Sequence, residues 1–539
     1  MLLALSASAL MAACAHQGRL AEPARIGELQ ISTVPLPADL TLESATYTPS
    51  GHVLVSYGDG SGDDPRDLKL AVMNDDGTDF RPFFAATIPA RPKDNGLRFM
   101  VFADNRRIFL GDFILECAPD IDHCAQSKLL DVQYPAAIAD GPLVSHRWSE
   151  MIVAPDNRHV AWTTLLADYS ALVFTGALER SEAGYRIVDA AIVSTVDRFK
   201  PDPDHADGVI PLPVRNGEVK QFVHGGTAIS LAGARDRDTT DSTVLDLRSG
   251  AITQITQTPG YDETTIFSPD ERLGIVMTTR FSPSTDLAIL GLLPRPHPVS
   301  LNMGLSMFMY MHGVTGVRNA RSGNIGPALI DIEASRTQPD YRGLDLHADA
   351  QWVYRSPMSW HPDGTKAMWI ESLRGDEHRQ RIRVVHLADY RAGTPVAAQA
   401  TPDDLAYAVT DLSGIADDMR RGHDIDVKVY GRHAGYLRYR KNASGVVEKT
   451  YVDYSDDGQN VYSGSERLQA DPRGNSTYAA SIRLSGPRPG AMDLRMTFGP
   501  LGGAAPARLI FAPDASGVPL THGYAEYDGQ RLTVEGLVP

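Results

Sequence analysis

The chain has 539 residues, of which 42% are hydrophobic and 22% are charged, and its 51 Lys and Arg against 67 Asp and Glu give a formal net charge of −16. This composition is typical of a globular protein, so it excludes a wholly disordered chain, a collagen and a polytopic membrane protein. The acidic balance argues against a nucleic-acid partner and does not favour an anionic glycan, because anions are repelled unless basic residues form a concentrated patch.

The beginning of the chain has the character of an export signal. Residues 1–13, MLLALSASALMAA, are uncharged and apolar, and they run directly into Cys14. The stretch is too short to span a bilayer as a helix and fits the apolar part of a cleaved signal peptide. Met11–Cys14 resembles the lipobox of bacterial lipoproteins, which implies that Cys14 is acylated and that residues 14–40 form a lipid-anchored tether. A plain cleaved signal, in which Cys14 has no role, is the alternative.

One hairpin pattern recurs along the next part of the chain. It consists of an apolar strand, a turn containing Pro, Asp, Gly or Asn, and a second apolar strand. These turn residues preset φ or tolerate positive φ, which makes the turn chemistry specific. The copies lie at 45–59, 99–112, 150–164, 221–233, 261–280 and 357–374, with additional hairpins at 69–83 and 243–256. Two hairpins per unit make a four-stranded blade, so the pattern predicts an all-β chain with a six-bladed β-propeller over 41–400.

The segments on either side of the repeats receive separate predictions. The strand near 28–34, ELQISTV, is expected to pair with the last blade and close the ring. Residues 401–424 are interpreted as a linker helix, because their apolar spacing is helical and acidic residues stand at the start. Short strands separated by Gly, Pro and Asp turns then predict a small β-sandwich or barrel over 425–539.

Residues 242–280, STVLDLRSGAITQITQTPGYDETTIFSPDERLGIVMTTR, resemble the repeat of the six-bladed propellers of the TolB-like family, a WD40-like repeat. NDDGTDFRPF at 74–83 resembles the second hairpin of the same repeat. The likeness covers roughly 41–395 and implies a periplasmic propeller, which agrees with the export signal. The rest of the chain does not resemble that family.

The order of strands within a blade assigns the connections to two faces. The tight hairpin turns share one face, here named the plain face, whereas the long connections share the other, here named the insertion face. The long segments are 58–67, 111–127, 199–214 and 292–355. Long insertions on one rim are where rigid scaffolds usually carry binding sites, although these could be decoration or a docking surface for the C-terminal domain.

Five residues on the insertion face are candidates for ligand binding. Arg280 and Arg374 end equivalent strands, and Arg355 enters the sixth unit. Three guanidinium groups around one mouth would suit a carboxylate-bearing or sugar ligand, with Trp352 and Tyr354 as a stacking surface. The alternative is that these arginines brace loops, since an arginine at this strand end recurs in the TolB-like repeat.

The remaining two cysteines, Cys117 and Cys124, are predicted to form a disulfide, because an exported chain enters an oxidising compartment. A metal site that adds His123, Asp120 and Asp122 is the alternative, but the cysteine spacing matches no common ligand pattern. No metal site or cofactor is predicted elsewhere. The weak candidates, each more simply explained by packing or solvation, are His312 and His347, a Met-rich copper site at 303–312, and a calcium loop at 59–67.

The sequence contains no Gly-x-Ser-x-Gly elbow, His-Glu-x-x-His pair, haem motif, phosphate loop or dinucleotide fingerprint. We therefore expect a protein without catalytic activity that binds a protein or glycan partner in the cell envelope and contacts the outer membrane only through its lipid. One alternative is a periplasmic carbohydrate-active enzyme that resembles the oligogalacturonate lyases, whose propeller holds a metal through histidines. Another is that the C-terminal domain is the binding module and the propeller is its platform.

Overall fold

The structure is a computed structural model that describes residues 26–538 apart from short gaps. The gaps are 59–63, 65, 94–96, 141–144, 167–170, 196–198, 234–238, 285, 297–302, 317–324, 348, 413–423, 472 and 501–507. The predicted signal peptide over 1–13 and the predicted lipidation site Cys14 lie outside the described residues.

The N-terminal two thirds of the chain form six four-stranded antiparallel blades, which confirms the predicted propeller. Blades 1 to 3 consist of β2 (Thr41–Tyr47), β3 (Val53–Gly58), β4 (Asp67–Met73), β5 (Arg81–Thr87), β6 (Phe99–Val101), β7 (Arg107–Leu110), β8 (Phe113–Ala118), β9 (Gln126–Gln133), β10 (Ile152–Val153), β11 (His159–Leu165), β12 (Ala171–Arg180) and β13 (Gly184–Ile192). Blades 4 to 6 consist of β16 (Glu218–Val223), β17 (Ala228–Gly233), β18 (Asp241–Asp246), β19 (Ile252–Gln254), β20 (Asp262–Phe267), β21 (Leu273–Thr278), β22 (Gly326–Asp331), β23 (Leu344–Asp345), β24 (Trp352–Trp360), β25 (Lys366–Leu373), β26 (Asp376–Leu387) and β1 (Leu29–Val34).

The N-terminal strand closes the ring. β1 is the outermost strand of blade 6 and pairs antiparallel with β26, from Leu29 opposite Leu387 to Val34 opposite Ile382. The first strands of the blades lie at the centre, since β24 contacts β2 and β20, while β16 contacts β10 and β20. Second strands such as β21, LGIVMT, are buried along their whole length because neighbouring blades pack on both faces.

The first hairpin turns use the same backbone device in several blades. Asn105, Asn157 and Glu271 occupy equivalent turn positions in blades 2, 3 and 5, and all three have φ between 55° and 62°. Asn tolerates this left-handed conformation better than other residues with a side chain, which explains its recurrence in the sequence pattern. These turns lie on the plain face.

Two loop assignments made from the sequence are wrong. The disulfide loop, within the segment 111–127, joins β8 to β9, so it lies on the plain face and not on the insertion face. The segment 292–355 is not one insertion, because it contains β22 and β23, the outer half of blade 5. The long insertion is therefore the connection between β21 and β22.

The predicted linker helix over 401–424 is not found in its described part. Residues 401–412 form turns and one isolated bridge, between Ile192 and Val409, while 413–423 lie outside the described residues. The segment 391–412, here named the strap, follows the turns of blades 5, 4 and 3 on the plain face. Its backbone amides at Val396 and Gln399 donate to turn carbonyl groups of blades 5 and 4. Because these turn carbonyl groups accept hydrogen bonds from the strap, both backbone amide groups are paired without forming a helix.

The strap is held to blade 3 by a buried histidine. The Nδ1 and Nε2 atoms of His159 lie 2.6 Å from Asp156 and 2.9 Å from Asp403 of the strap. Burial acts to lower the pKa of His159, but the hydrogen bonds to both aspartates outweigh it and raise this pKa. The contact therefore contributes most below the ordinary His pKa and is lost as pH rises through the raised value.

The C-terminal domain is one antiparallel sheet of eight strands in sequence order. They are β27 (Ile425–Tyr430), β28 (Ala434–Lys441), β29 (Val446–Ser455), β30 (Val461–Gln469), β31 (Ser476–Ser485), β32 (Gly490–Phe498), β33 (His522–Tyr527) and β34 (Gln530–Thr533). Residues along β31 alternate between buried and accessible positions, so the sheet has one apolar face. It is a small β domain as predicted, but the described strands form a single sheet, and β27 and β34 do not pair to close a barrel.

The apolar face of this sheet packs on the blade 5 insertion. The insertion contains α2 (Ala288–Gly291), α3 (Met303–Tyr310) and a π-helical turn (Met311–Gly316). Buried residues of the insertion, blades 5 and 6 and the sheet form one hydrophobic cluster. The rings of Phe308 in α3 and Phe498 in β32 stack at 5.5 Å. The sheet therefore buries its apolar face against the propeller, and the two domains share a core.

Other short elements complete the described part of the chain. They are α1 (Ala136–Ala139), the hairpin of β14 (Phe199–Pro201) and β15 (Val209–Pro211), α4 (Ile332–Thr337), and the 3-10 turns His224–Gly226 and Val534–Leu537. The β14–β15 hairpin also reaches the C-terminal sheet, since Asp207 in its loop lies 2.6 Å from Lys428. In the part of the chain that the structure describes, every helix falls short of the length and apolarity that a membrane crossing needs.

A buried ionic cluster joins the insertion to the sheet. Glu466 accepts hydrogen bonds from Tyr451 (2.8 Å) and Tyr478 (2.7 Å), and lies 2.9 Å from Lys449 and 3.4 Å from Arg295 of the insertion. Burial acts to raise the pKa of Glu466, but the charges of Lys449 and Arg295 outweigh it and lower this pKa to about 2.

This cluster predicts a dependence of stability on acid pH. A carboxylate with a depressed pKa stabilises the fold above its ordinary value of 4.5, and the contribution is lost as pH falls toward about 2. Between about pH 5 and about pH 3, we expect the free energy of unfolding of the wild type to fall by about 2 kcal/mol more than that of Glu466→Gln. Urea unfolding at the two pH values measures the free energy of unfolding of the wild type and of Glu466→Gln. Glu448→Gln, on the other face of the sheet, is the matched control. Equal losses in the wild type and Glu466→Gln would contradict the assignment.

Candidate functional site

The first strands of the blades bring charged residues together around the propeller axis. Arg98 directly precedes β6, Glu150 lies two residues before β10, Glu218 and Lys220 lie in β16, and Glu263 lies in β20. Together with Tyr261, which precedes β20, these residues are here named the axial cluster. They come from four blades and lie at the strand starts, which is the insertion-face end of the axis.

β-Bulges set the direction of several of these side chains. The pairing of β16 with β17 shifts at Lys220, and that of β20 with β21 shifts across Glu263. The first strands of blades 1 and 6 have register shifts at Glu43 and after Arg355. A bulge adds a residue and redirects its side chain, so the same device recurs around the axis in four blades.

The axial cluster is a set of short ionic contacts. Lys220 Nζ lies 2.6 Å from Glu263 and 3.0 Å from Glu218, while Arg98 Nη1 lies 3.1 Å from Glu150. The hydroxyl of Tyr261 donates to Glu263 at 2.7 Å. Three carboxylates face two cations, which leaves one formal negative charge when all are ionised.

The charges of the axial cluster oppose the effect of burial. Burial acts to lower the pKa of Lys220, but Glu218 and Glu263 outweigh it and raise this pKa. Lys220 therefore stays protonated at neutral pH and is not available as a base or nucleophile. Burial acts to raise the pKa of Glu150, and Arg98 and Lys220 outweigh it, so this pKa is lowered. The pKa of Glu218 is raised, mainly by burial.

Among the described residues, one side of the cluster is more accessible than the other. Arg98 and Glu150, from blades 2 and 3, keep 43% and 24% of their side-chain surface accessible. Lys220 keeps only 6%. On the covered side, the ring of Tyr310 in α3 lies 5.3 Å from that of Tyr261. A ligand would therefore reach the axial cluster from the side of blades 2 and 3.

The axial cluster was not predicted from the sequence, although the sequence carries a signal for it. Each hairpin unit carries a charged residue a few positions before its turn. The residues are Glu43, Arg98, Glu150, Lys220, Glu263 and Arg355. Of these, only Arg355 was among the candidates.

Arg280, predicted as a ligand contact, is buried and fully engaged with its own blade. Its Nη2 lies 2.7 Å from Asp262, its Nε donates to the Thr278 hydroxyl at 3.1 Å, and its Nη1 donates to the Arg342 carbonyl at 3.2 Å. These contacts favour the bracing alternative. The ligand-binding role of Arg280 stays a prediction.

The other four candidates lie in blade 6 and do not form one surface. Tyr354 is fully buried, and the guanidinium of Arg381 covers the ring of Trp352 at 3.9 Å. Arg374 Nε donates to the Ala350 carbonyl at 3.1 Å, and burial lowers its pKa. Arg355 pairs with Glu377 at 2.7 Å beside the bulge of β24. Trp352, Tyr354 and Arg355 all lie in β24, the central strand of blade 6.

The cysteine and histidine candidates lie at separate places in the structure. Cys117 and Cys124 form a disulfide. His312 is fully buried, accepts the Leu509 amide at Nδ1 (3.2 Å), and its Nε2 lies 3.4 Å from the Leu537 carbonyl, so it joins the insertion to the C-terminal domain. His347 follows β23 and lies beside Gly326. Within the described residues, no three His, Cys, Asp or Glu side chains are grouped as a metal site would require.

The chain is similar to several solved structures, each at low identity. No protein-family model and no curated protein matches the chain. TolB from Acinetobacter baumannii is similar at 10% identity and TM-score 0.28, over 66% of each chain. An oligogalacturonate lyase in complex with manganese is similar at 9% identity and TM-score 0.33, over 76% of this chain and 92% of that one. The propeller domain of the Trilobed protease from Pyrococcus furiosus is similar at 6% identity and TM-score 0.29, over 76% and 94%.

Removing the central cation of the axial cluster should destabilise the protein. Lys220→Met leaves Glu218 and Glu263 facing each other without a cation, and we expect a loss of about 3–5 kcal/mol in the free energy of unfolding. The loss should shrink as pH falls, because protonated carboxyls no longer repel one another. Urea unfolding at two pH values measures both effects. The exposed Lys200→Met should change stability by less than about 0.5 kcal/mol, and a Lys220→Met loss no larger than this would contradict the prediction.

Proposed function

We propose that this protein is an exported, lipid-anchored β-propeller that acts as a binding scaffold in the cell envelope, with its protein or glycan partner held at the insertion-face end of the axis. The observation that carries the proposal is the axial cluster. Polar groups from four blades converge there, and Arg98 and Glu150 remain accessible. Convergent polar groups at the mouth of a rigid scaffold are typical of binding sites.

The charge states of Lys220 and Glu150 favour binding over catalysis by these two groups. A catalytic base or nucleophile needs a pKa near the working pH. The pKa of Lys220 is raised and that of Glu150 is lowered, so each keeps its charged form at neutral pH. Fixed charges of both signs can hold a ligand that offers both donors and acceptors, such as sugar hydroxyls or a polypeptide.

Export and anchoring are supported by two further features. The disulfide between Cys117 and Cys124 is typical of a protein in an oxidising compartment. The apolar N-terminal stretch ending at Cys14 has the form of a lipoprotein signal. We therefore propose that the mature protein lies on the periplasmic side of the outer membrane.

A paired substitution tests the binding site. Arg98→Gln/Glu150→Gln removes the accessible ion pair without changing the net charge, and Glu526→Gln/Arg531→Gln does the same to an exposed pair of the C-terminal sheet, where Arg531 and Glu526 lie 3.2 Å apart. Envelope extract passed over immobilised protein and an array of bacterial glycans serve as probes. We expect the axial variant to weaken capture about tenfold or more, because accessible polar contacts at a mouth contribute on the order of 1.4 kcal/mol or more.

The same experiment separates the alternatives. Equal capture by the wild type and both variants, each shown to be folded by thermal melting, would place the partner elsewhere on the molecule. Release of a cleaved product from any glycan on the array would instead favour the carbohydrate-active enzyme.

The anchor is tested by fractionation. Wild type expressed with its own N-terminus should sediment with membranes and partition into detergent, because acyl chains contribute about 0.8 kcal/mol per buried methylene group. Cys14→Ser should move the protein to the soluble periplasmic fraction. Wild type recovered mainly in that soluble fraction would contradict lipidation.

A further inference from the structure

A second charged region lies far from the axis, at the plain-face end of blades 2 and 3. It is a cavity of about 520 Å³ between the two blades, bordered by the disulfide at Cys117. The charged residues that line it are four cations and two carboxylates: Arg106, Arg107, Lys128, Arg180, Asp104 and Glu116. The cavity therefore carries two excess positive charges on a chain whose net charge is −16.

The two carboxylates of the cavity are already neutralised. Glu116 receives two hydrogen bonds from Arg180, at 2.7 Å and 3.1 Å, and one from the Tyr185 hydroxyl at 2.6 Å. Asp104 accepts from Arg107 Nε at 2.8 Å. The hydrogen bond from Arg180 is the main cause of a lowered pKa at Glu116, so this carboxylate stays charged and paired.

Arg106 and Lys128 carry the excess positive charge. Neither makes an ion pair with any described residue, and both are exposed to solvent. Lys128 lies directly opposite Glu116, which in turn lies opposite Arg107, so the three side chains stand in a row across β7, β8 and β9. An incoming anion would meet two cations that no described carboxylate holds in an ion pair, of which Lys128 also acts at longer range on Glu116.

The backbone around the cavity is firmly held. The Arg106 carbonyl accepts the Cys117 amide at 2.8 Å, and the Ile121 amide donates to Asn105 at 2.8 Å. The disulfide from Cys117 to Cys124 closes the same loop. On the other side, β9 and β13 pair in parallel from Gly184 opposite Asp131, which joins blades 2 and 3 into one sheet. The cations are thus presented by a wall that is cross-linked on both sides.

We infer that this cavity binds a sugar-sized molecule bearing a phosphate monoester. A monoester carries about −1.5 to −2 charge at neutral pH, which matches the two excess cations, and Arg and Lys are the usual phosphate ligands. The volume lies within the range of about 300–1,000 Å³ found for small-molecule sites, so a lone oxyanion would leave most of it unfilled. Polar groups such as Gln126 and Ser127 line the remainder and suit hydroxyls.

Calorimetric titration of the full-length protein with glucose 6-phosphate, glucose and inorganic phosphate tests the inference. We expect glucose 6-phosphate to bind more tightly than either of the others and to weaken as ionic strength rises. Arg106→Gln/Lys128→Gln should weaken it about tenfold or more. Arg432→Gln/Arg473→Gln removes two exposed arginines from the C-terminal domain and should leave the affinity within about twofold of the wild type.

Several results would overturn the inference. They are the absence of glucose 6-phosphate binding by folded protein, equal affinity in the wild type and Arg106→Gln/Lys128→Gln, and an equal loss in the Arg432→Gln/Arg473→Gln control. If glucose bound as tightly as glucose 6-phosphate, the phosphate group would not contribute to recognition. If inorganic phosphate bound as tightly as glucose 6-phosphate, the sugar would not contribute.

Discussion

Ring closure by the N-terminal strand is the constraint on which the rest of the structure depends. The antiparallel ladder between β1 and β26 joins the two ends of the propeller, so the first and last parts of the ring are held together by backbone hydrogen bonds. Once six blades are closed, their first strands must converge on one axis. Charged residues that are distant in sequence, such as Arg98 and Glu263, are then forced into one small volume. They must compensate one another, because isolated buried charges are costly.

The blade 5 insertion explains how the C-terminal sheet belongs to the same structure. A single eight-stranded sheet with one apolar face cannot cover that face alone. The insertion supplies the second layer, with Phe308 against Phe498 and Arg295 beside the buried Glu466. It also places Tyr310 beside Tyr261 of the axial cluster. The same segment therefore covers one side of the axis and anchors the C-terminal domain. A ligand can still reach the axial cluster from the side of blades 2 and 3.

The elements predictable from the sequence are those set by local chemistry. Turns with Pro, Asp and Asn, together with apolar runs, identified the blades and their number, since residues such as Asn157 tolerate the left-handed backbone of a tight turn whatever surrounds them. Strand pairing between distant parts of the chain was harder to predict from the sequence. The weakly patterned strands β22 and β23 were interpreted as loop because their partners, not their own sequences, specify them. The linker helix is not formed over 401–412 for the same reason: Asp403 and Val409 contact His159 and Ile192, which only the folded propeller brings near.

Candidate site residues were harder to predict because they were judged one at a time. Arg280 looked available as a single arginine at a strand end, yet Asp262 lies 2.7 Å away in the same blade. The axial residues looked unremarkable singly, because a charged side chain near a turn is usually solvated. Their significance comes from the repeat, since equivalent positions in different blades must become neighbours at the axis.

The overall charge was also a poor guide to what each surface can bind. At physiological ionic strength, charges further apart than about 8 Å are largely screened, so the net −16 is not felt as a whole at any one site. What an anion meets at the cavity of blades 2 and 3 is Arg106 and Lys128, while the acids beside them are bound to Arg107 and Arg180. At the axis, the balance is one excess carboxylate. Since the cavity opens at the plain-face end of the blades and the axial cluster lies at the insertion-face end, the two surfaces can differ in charge preference without competing for a ligand.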